Sequence, residues 1–339
     1  MNRLVRNSET GETFEVAAGE TILGAAMRSG VRLPHECTLG TCGTCRVKLQ
    51  QGDIHYDKFP MALTEEEAAQ GYALACQAHV DSDVVLTPDG KGVELPDPIV
   101  VQAIVQENKP FTADISHLVL HLPDEADLSY LPGQHMNIRL PGRGERSFSM
   151  ASAYPLGNEV DFHIRRVKGG YFTDAQLSHL TAGTVLEVEI PRGTFCYHPD
   201  DWRPLLFIAA GTGFAPIRAM LESLLDDEDC PPISLYWGMR TEADLYARAE
   251  IESWASRLYE FKFVPVLSRA DEQWSGRRGY VQEAVRNDLP DLSEYACYVC
   301  GSPQMVVETK HVLLTLCANL SFIYSDSFGF SHSEDPLTV

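Results

Sequence analysis

Four cysteines in the first quarter of the chain have a spacing that could hold an iron–sulfur cluster. Cys37, Cys42 and Cys45 form the pattern C-x4-C-x2-C, and Cys76 follows after thirty intervening residues. Four thiolates at this spacing are typical of plant-type 2Fe–2S centres. Two glycines in the loop allow the backbone to wrap closely round a cluster and direct N–H groups at its sulfurs. These four cysteines are therefore the predicted metal ligands.

A zinc site is the alternative for this loop. Zinc usually takes paired C-x2–4-C hooks, whereas the loop has a single hook, Cys42 and Cys45, with one more cysteine five residues upstream. The pattern therefore favours the iron–sulfur centre. Four other cysteines lack such spacing and are predicted to be packing or surface residues: Cys196, Cys230, Cys297 and Cys317.

A second group of residues, in the middle of the chain, could bind a dinucleotide with a flat ring. Arg146 offers a fork of donors to a pyrophosphate, Phe148 offers a flat face, and Ser149 offers a hydroxyl to the ring edge. Gly169 and Gly170 precede a helical pattern over 174–180 and are predicted to present free N–H groups to an anion. Taken alone, an R-x-F-S motif is more often an edge strand with an exposed arginine than a flavin site.

A third group follows an apolar strand predicted at 205–210. Gly211 and Gly213 lie in the turn that leads to a helix, and a strand, glycine turn and helix in this order cradle a phosphate. Pro216 replaces the third glycine of the usual fingerprint and suits a first helical turn. A plain tight turn is the alternative. The ends of the other predicted strands place further candidates where ligands bind open sheets: Gly238, Arg240, Ser268, Arg269, Cys300, Gly301, Pro303 and Met305.

Two seams rich in proline and glycine, at 87–98 and 198–204, divide the chain and predict domains at 1–93, 97–200 and 201–339. Short β-rich runs in the middle segment predict an antiparallel barrel. Apolar strands alternating with helices in the last segment predict a parallel, doubly wound α/β sheet. The predicted barrel strands are 99–105, 117–122, 135–140, 146–151, 160–167 and 185–190, and the sheet strands are 205–210, 233–238, 261–267, 296–301 and 320–325.

The motifs in this order resemble the ferredoxin–NADP reductase family with an N-terminal plant-type ferredoxin domain. They are similar in particular to reductase components of bacterial multicomponent oxygenases, such as the benzoate dioxygenase and xylene monooxygenase reductases. The resemblance implies an α+β ferredoxin domain of the β-grasp type, an antiparallel FAD barrel and an α/β nicotinamide domain. The family motif R-x-Y-S has tyrosine where this chain has Phe148, a change that keeps stacking and loses the phenolic oxygen.

The resemblance also implies roles for individual residues. Arg146 would contact the FAD phosphate, Phe148 and Ser149 would touch the isoalloxazine, and residues 170–173 would hold the pyrophosphate. The implied FAD-binding set is Arg146, Ser147, Phe148, Ser149, His163, Arg165, Gly169, Gly170, Thr173 and Phe328, the last as an aromatic cover. The implied nicotinamide-binding set is Gly211, Thr212, Gly213, Pro216, Gly238, Arg240, Ser268, Arg269, Cys300, Gly301, Pro303 and Met305.

The implied activity is electron transfer from NADH through FAD and the 2Fe–2S cluster to a partner oxygenase in aromatic hydrocarbon catabolism. NADH is favoured over NADPH because Asp271 and Glu272 oppose the cations near Arg269 that a 2′-phosphate would need. No side chain is expected to act as a catalytic acid or base. Three alternatives stay open: a reductase for a deoxysugar dehydratase, a stand-alone flavin reductase or oxidase, and a zinc-binding adaptor.

The composition restricts the partners. The 339 residues carry a net charge of −21, which disfavours nucleic acid and anionic membranes and leaves room for a partner with a basic docking patch. With no apolar run long enough for a membrane span and no secretory signal, the chain is expected to stay in the cytoplasm. It is expected to be a monomer. No 2-His-1-carboxylate cluster is evident, so oxygen activation is expected to belong to another protein.

Overall fold

The computed structural model describes residues 2–35, 38–41, 43–88, 95–124, 128–155 and 157–328. The chain forms two compact units, the first made of residues 1–89 with 302–307 and 326–339, and the second of residues 90–301 and 308–325. None of the helices within the described ranges has the length and apolar character that a bilayer crossing requires.

The first unit is an α+β fold around a five-stranded mixed sheet. Its core consists of apolar side chains that alternate along the strands, and Val5 and Leu86 on neighbouring strands are fully buried. The elements are β1 (Arg3–Asn7), β2 (Thr13–Val16), α1 (Ile22–Arg28), β3 (Arg46–Gln51), β4 (Ile54–His55), α2 (Glu65–Ala69), β5 (Tyr72–Leu74), β6 (His79–Val80) and β7 (Val84–Pro88). The sheet order is β2-β1-β7-β3-β5, with β1 and β7 parallel, which is the expected β-grasp arrangement.

The second unit begins with a curled antiparallel sheet. Its strands are β8 (Ile99–Pro110), β9 (Ile115–His121), β10 (His135–Leu140), β11 (Gly144–Ser149), β12 (Glu159–Arg165) and β13 (Val185–Arg192). They pair in the order β11-β10-β13-β8-β9-β12, and a bridge between Met150 and Phe162 draws the two edges together. The predicted barrel is therefore confirmed. The helix predicted at 174–180 is instead a π-helical turn, Tyr171–Gln176, and a short 3-10 turn, Leu177–His179.

The same unit continues into a parallel sheet with helices between its strands. The elements are β14 (Leu205–Ala210), α3 (Phe214–Ser223), β15 (Ile233–Met239), α4 (Arg248–Ser253), β16 (Lys262–Leu267), β17 (Arg277–Arg278), α5 (Val281–Asp288), β18 (Ala296–Gly301), α6 (Pro303–Thr315) and β19 (Ile323–Ser327). The order β17-β16-β15-β14-β18-β19 reverses direction at β14, where doubly wound sheets bind ligands. The last strand begins at Ile323, because Leu320–Phe322 forms a 3-10 turn rather than the predicted start of the strand.

Candidate functional site

The strand register of the first unit brings two of the four predicted cluster ligands together. Cys45 immediately precedes β3 and Cys76 follows β5, and these strands pair antiparallel with Arg46 opposite Leu74. The Ala75 N–H donates to the Cys45 carbonyl at 3.0 Å. Both cysteines are buried and neither forms a disulfide. Cys37 and Cys42 lie outside the described residues, so their part in the ligand set stays a prediction.

Three residues between Cys37 and Cys45 have a left-handed backbone conformation. Thr38, Gly40 and Gly43 have φ angles of 52°, 73° and 84°. A Cβ placed on Gly40 would lie 2.9 Å from the Cγ of Gln77, and the Gln77 amide donates to the Thr38 carbonyl at 2.9 Å. The loop therefore wraps tightly beside two buried thiols, and this donor set and shape fit a 2Fe–2S centre.

The predicted flavin-binding residues on β11 lie along an edge of the barrel. Phe148 is half-buried, and its ring centre is 5.3 Å from that of Phe172. The Ser147 hydroxyl lies 2.7 Å from the Asn137 side-chain oxygen, and Ser149 is buried. Arg146 is half-buried and donates to the carbonyl of its neighbour at 2.6 Å. An aromatic face and a guanidinium on one strand are the features that a flavin dinucleotide requires.

The turn predicted to hold the pyrophosphate differs from the expectation in one respect. The Gly169 N–H donates to the Asp174 carboxylate at 2.8 Å, and the Gly170 N–H donates to the carbonyl three residues earlier at 2.8 Å. The prediction that these two N–H groups are free is therefore wrong. A Cβ on Gly170 would lie 2.6 Å from the Thr173 hydroxyl oxygen, so the turn does require glycine. The N–H groups that can face an anion begin at Tyr171, where the helical turn starts.

The glycine turn after β14 is fixed by two close backbone approaches. A Cβ on Gly213 would lie 2.3 Å from the Cys300 carbonyl oxygen, so the turn lies directly against the end of β18. Gly211 has a φ of 61°, and its carbonyl accepts a hydrogen bond from the Trp237 indole at 3.0 Å. Thr212 is buried between them. This geometry supplies the close helix–strand packing that the missing third glycine of the fingerprint would otherwise provide.

Ionic contacts join the barrel to the nucleotide-binding sheet. Asp114, at the start of β9, lies 3.7 Å from Arg165 on β12 and 3.2 Å from Arg240 after β15. A Cβ on Gly211 would lie 3.5 Å from the Arg165 guanidinium. Two predicted residues, one from each cofactor set, therefore share one carboxylate. Asp114 was not predicted, because no motif contains it.

The predicted residues at the other strand ends differ in their burial and contacts. The Ser268 hydroxyl donates a hydrogen bond to the Met239 carbonyl at 3.3 Å, and Arg269 is exposed. Cys300 and Gly301 are fully enclosed at the end of β18. The backbone of Gly238 packs against Val281, and Pro216 lies in the first turn of α3. Pro303 and Met305 lie in the first turn of α6. Phe328 is half-buried at the end of the described chain.

His163 is buried and has protein partners on both ring nitrogens. Its Nδ1 lies 3.0 Å from the Tyr246 hydroxyl and its Nε2 lies 3.9 Å from the Asp161 carboxylate. Burial lowers the pKa of His163 to about 3, so the ring is neutral at neutral pH. A contact between this residue and FAD would therefore use its backbone rather than its side chain.

One cluster contradicts the sequence-based expectation. His117, Asp161 and His163 bring one ligand atom each to within 4.8 Å of the others, so the chain does contain a group of two histidines and one carboxylate. Burial raises the pKa of Asp161, but the hydrogen bond with His117 and the charge of Arg218 outweigh it and hold that pKa at about 2. The sequence signal for Asp161 and His163 was their spacing Asp-x-His on a predicted strand, because alternate residues of a strand share a face.

Three family sequence models match the chain. They are the 2Fe-2S iron-sulfur cluster binding domain at residues 5–81, the oxidoreductase FAD-binding domain at 102–197 and the oxidoreductase NAD-binding domain at 207–311. The three matches follow the order of the cluster loop, the barrel and the parallel sheet. They show that the chain combines 2Fe–2S, FAD and NAD-binding domains.

Similar proteins cover nearly the whole chain. The CDP-6-deoxy-L-threo-D-glycero-4-hexulose-3-dehydrase reductase of Yersinia pestis is 33% identical over 97% of this chain and 99% of its own length. The anthranilate 1,2-dioxygenase electron transfer component of Acinetobacter baylyi is 32% identical over 95% of this chain and 96% of its own. The solved structure of the Amycolatopsis cytochrome P450 reductase GcoB is 31% identical, covers 96% of this chain and 98% of its own, and superposes with a TM-score of 0.72.

A thiolate loop, a flavin barrel and a nucleotide-binding sheet in one chain define an iron–sulfur flavoprotein reductase. The chain belongs to the ferredoxin–NADP reductase family with an N-terminal 2Fe–2S domain, in the group that includes oxygenase reductase components. It is an NAD(P)H-dependent oxidoreductase.

The close approach of Gly213 to β18 leads to a prediction. Gly213→Ala places a methyl group 2.3 Å from the Cys300 carbonyl oxygen and should lower the free energy of unfolding by about 1–3 kcal/mol. It should also raise the KM for NADH, because the turn must shift. Gly211→Ala is the matched comparison: it meets no atom closer than 3.5 Å and should cost only about 1 kcal/mol for its left-handed backbone. Urea unfolding and steady-state kinetics measure both effects, and equal behaviour of the two variants would contradict the packing argument.

Proposed function

We propose that this protein passes electrons from NADH through FAD and a 2Fe–2S cluster to a separate partner protein. The observation that supports this most directly is that one chain combines the glycine turn after β14, the predicted flavin-binding residues on β11 and the loop of cluster cysteines. NADH gives up a hydride, which is two electrons, whereas a 2Fe–2S centre accepts one electron. FAD, when bound, supplies the conversion between the two.

In this proposal the side chains bind and orient rather than exchange protons. The Phe148 ring provides a face for the flavin, and Arg146 neutralises part of the pyrophosphate charge. Thr212, buried between two close-packed glycines, lines the nicotinamide side of the turn. Phe328 is proposed as the aromatic cover. The remaining residues of both predicted sets support these contacts from the same strands and turns.

The cluster is proposed to be held by Cys37, Cys42, Cys45 and Cys76. Two of these thiols are buried beside a loop of left-handed turns, and N–H groups of such a loop can stabilise the charge on cluster sulfurs. The domain limits 1–93, 97–200 and 201–339 are proposed to separate the three cofactor regions. Because one chain supplies all three, a monomer is proposed as the working form, and the cytoplasm is proposed as its compartment because a reducing environment keeps thiol ligands from forming disulfides.

Two classes of electron acceptor are supported by the similar proteins. The anthranilate dioxygenase component favours an oxygenase that hydroxylates an aromatic substrate, and we propose this class first. The Yersinia reductase, whose name gives a deoxysugar dehydrase as its partner, favours a second acceptor class. Both would receive electrons from the same cluster, so the reductase architecture alone is compatible with either.

The acceptor class can be tested by coupling purified reductase and NADH to each candidate. With an oxygenase that hydroxylates aromatic substrates, we expect substrate hydroxylation in proportion to NADH consumed. With a deoxysugar dehydrase we expect no dehydrated product above the rate without reductase. Turnover with the dehydrase alone would reject the oxygenase assignment and establish the second candidate, and spectra of the bound cofactors confirm that the reductase itself is intact.

The exit of electrons through the cluster can be tested with Cys45→Ser. The variant should lose cytochrome c reduction, which needs single electrons from the cluster, and keep ferricyanide reduction, which the flavin supports directly. Cys317→Ser is the matched control, because this cysteine is exposed and outside the loop, and it should behave as the wild type. Cytochrome c reduction that persists in Cys45→Ser, with no cluster absorbance, would show that electrons leave by another route.

NADH is proposed over NADPH because two nearby cations are already paired. Arg277 forms an ion pair with Asp288, and Arg278 donates to the carbonyls of Ala270, Asp271 and Trp274. A 2′-phosphate without a charged hydrogen-bond partner forfeits about 1.5–3 kcal/mol, so kcat/KM should favour NADH by roughly tenfold or more. Comparison of kcat/KM for the two nucleotides measures this, and a preference for NADPH would refute it.

A further inference from the structure

The side chains of two histidines and one aspartate on the outer face of the barrel sheet form a group that the proposed electron transfer does not use, since His163 would contact FAD through its backbone. His117 on β9 is directly opposite His163 on β12, and Asp161 lies two residues before His163 on the same strand. All three side chains therefore emerge on one face, since alternate residues of a strand point the same way. The intervening residue Phe162 points into the barrel core and is fully buried.

The distances within this group are close to those of a metal site. His117 Nε2 lies 3.1 Å and His163 Nε2 lies 3.9 Å from Oδ2 of Asp161, and the three ligand atoms all fall within 4.8 Å of one another. Ligands about 2.1 Å from a tetrahedral zinc ion are about 3.4 Å apart. The two separations from Asp161, 3.1 Å and 3.9 Å, lie on either side of this value.

The histidine rings are held in orientation by neighbouring aromatic groups. The Tyr246 hydroxyl lies 3.0 Å from Nδ1 of His163, and this contact leaves Nε2 facing the aspartate. Phe111 stacks on the His117 ring with centres 4.7 Å apart and planes 14° apart. A partner on the outer nitrogen of a histidine fixes the ring in most metal sites, and here Tyr246 supplies one.

The charge and solvent access of the group also suit a cation. Oδ1 of Asp161 is buried and forms no hydrogen bond of normal geometry in the described part of the chain, although the Ser152 side chain and the charge of Arg218 both lower the Asp161 pKa, so Oδ1 retains capacity for a closer cation. The nearby Arg218 also forms ion pairs with Glu250 at 2.7 Å and Glu222 at 3.6 Å, which reduce its repulsion of a cation bound at Asp161. The side chains of His117 and Asp161 remain 22% and 18% exposed, so an ion can enter from solvent.

We propose that His117, Asp161 and His163 bind one divalent transition-metal ion, with Zn²⁺ as the ion that this donor set favours. Two imidazoles and one carboxylate are a common zinc ligand set, with water in the fourth position. Coordination through Nε2 of His117 requires that its proton move to Nδ1, which lies 3.8 Å from Glu107. The ion would join β9 to β12 and, through Tyr246, to the nucleotide-binding sheet.

The test uses the full-length protein loaded with its iron–sulfur cluster and FAD, so that the cluster cysteines are already occupied. After passage over a chelating resin, the protein is dialysed against Zn²⁺ and its zinc and iron are measured by mass spectrometry. One zinc ion per chain should bind to the wild type. His117→Gln and Asp161→Asn, which preserve side-chain size, should weaken zinc binding at least tenfold while the iron and FAD contents stay unchanged.

His121→Gln is the matched control, because His121 lies on the same face of β9 and near Asp124 but outside the group. It should bind zinc as the wild type does. Tyr246→Phe keeps all three ligands and removes only the orienting hydroxyl, so zinc affinity should fall about 10–100-fold, in addition to the lower Tm of the zinc-free protein that loss of one buried hydrogen bond produces. Absence of zinc uptake by the wild type, or equal affinity in His117→Gln, would overturn the proposal and leave this group as a hydrogen-bonded junction. Neither result depends on the electron acceptor.

Discussion

Hydride transfer between two bound dinucleotides requires that the barrel and the nucleotide-binding sheet be held at a fixed separation, and the structure meets this requirement with charge and backbone contact. Asp114 sits between Arg165 of the barrel and Arg240 of the sheet. The Arg165 guanidinium also lies beside Gly211, where a Cβ would be 3.5 Å from it, an ordinary van der Waals contact. Because reacting atoms must approach to about 3–3.5 Å, an error of about 1 Å in this junction would slow hydride transfer.

The thiolate loop and the turn after β14 both depend on glycine for a close approach of the backbone. At Gly40 in the thiolate loop and at Gly213 after β14, a side chain would collide with neighbouring atoms within 3 Å. Removal of the Cβ lets the backbone approach either a cluster or the end of a neighbouring strand. These glycines therefore set the shape of both sites, while the cysteines and the buried Thr212 supply the chemical groups.

The candidate metal group illustrates what strand pairing adds to a motif. His117 and Asp161 are separated by 44 residues, and no local spacing connects them. The register of β9 against β12 places His117 directly opposite His163, and the tyrosine that orients His163 comes from a third segment after β15. Each residue taken alone is an ordinary polar residue of a strand, and only their common face makes a possible ligand set.

The sequence by itself determined the cofactors and the order of the folds, because cluster spacing, glycine turns and strand periodicity are local patterns that can be recognised without knowledge of tertiary contacts. It also placed most strands correctly, with errors where a short turn replaced a helix near Tyr171 or the start of β19. Only the tertiary structure decided which polar groups have hydrogen-bond or ionic partners within the protein. The Gly169 N–H is taken by Asp174, and both nitrogens of His163 face protein partners. Such pairings depend on strand register and side-chain packing between distant segments, which no spacing along the chain encodes.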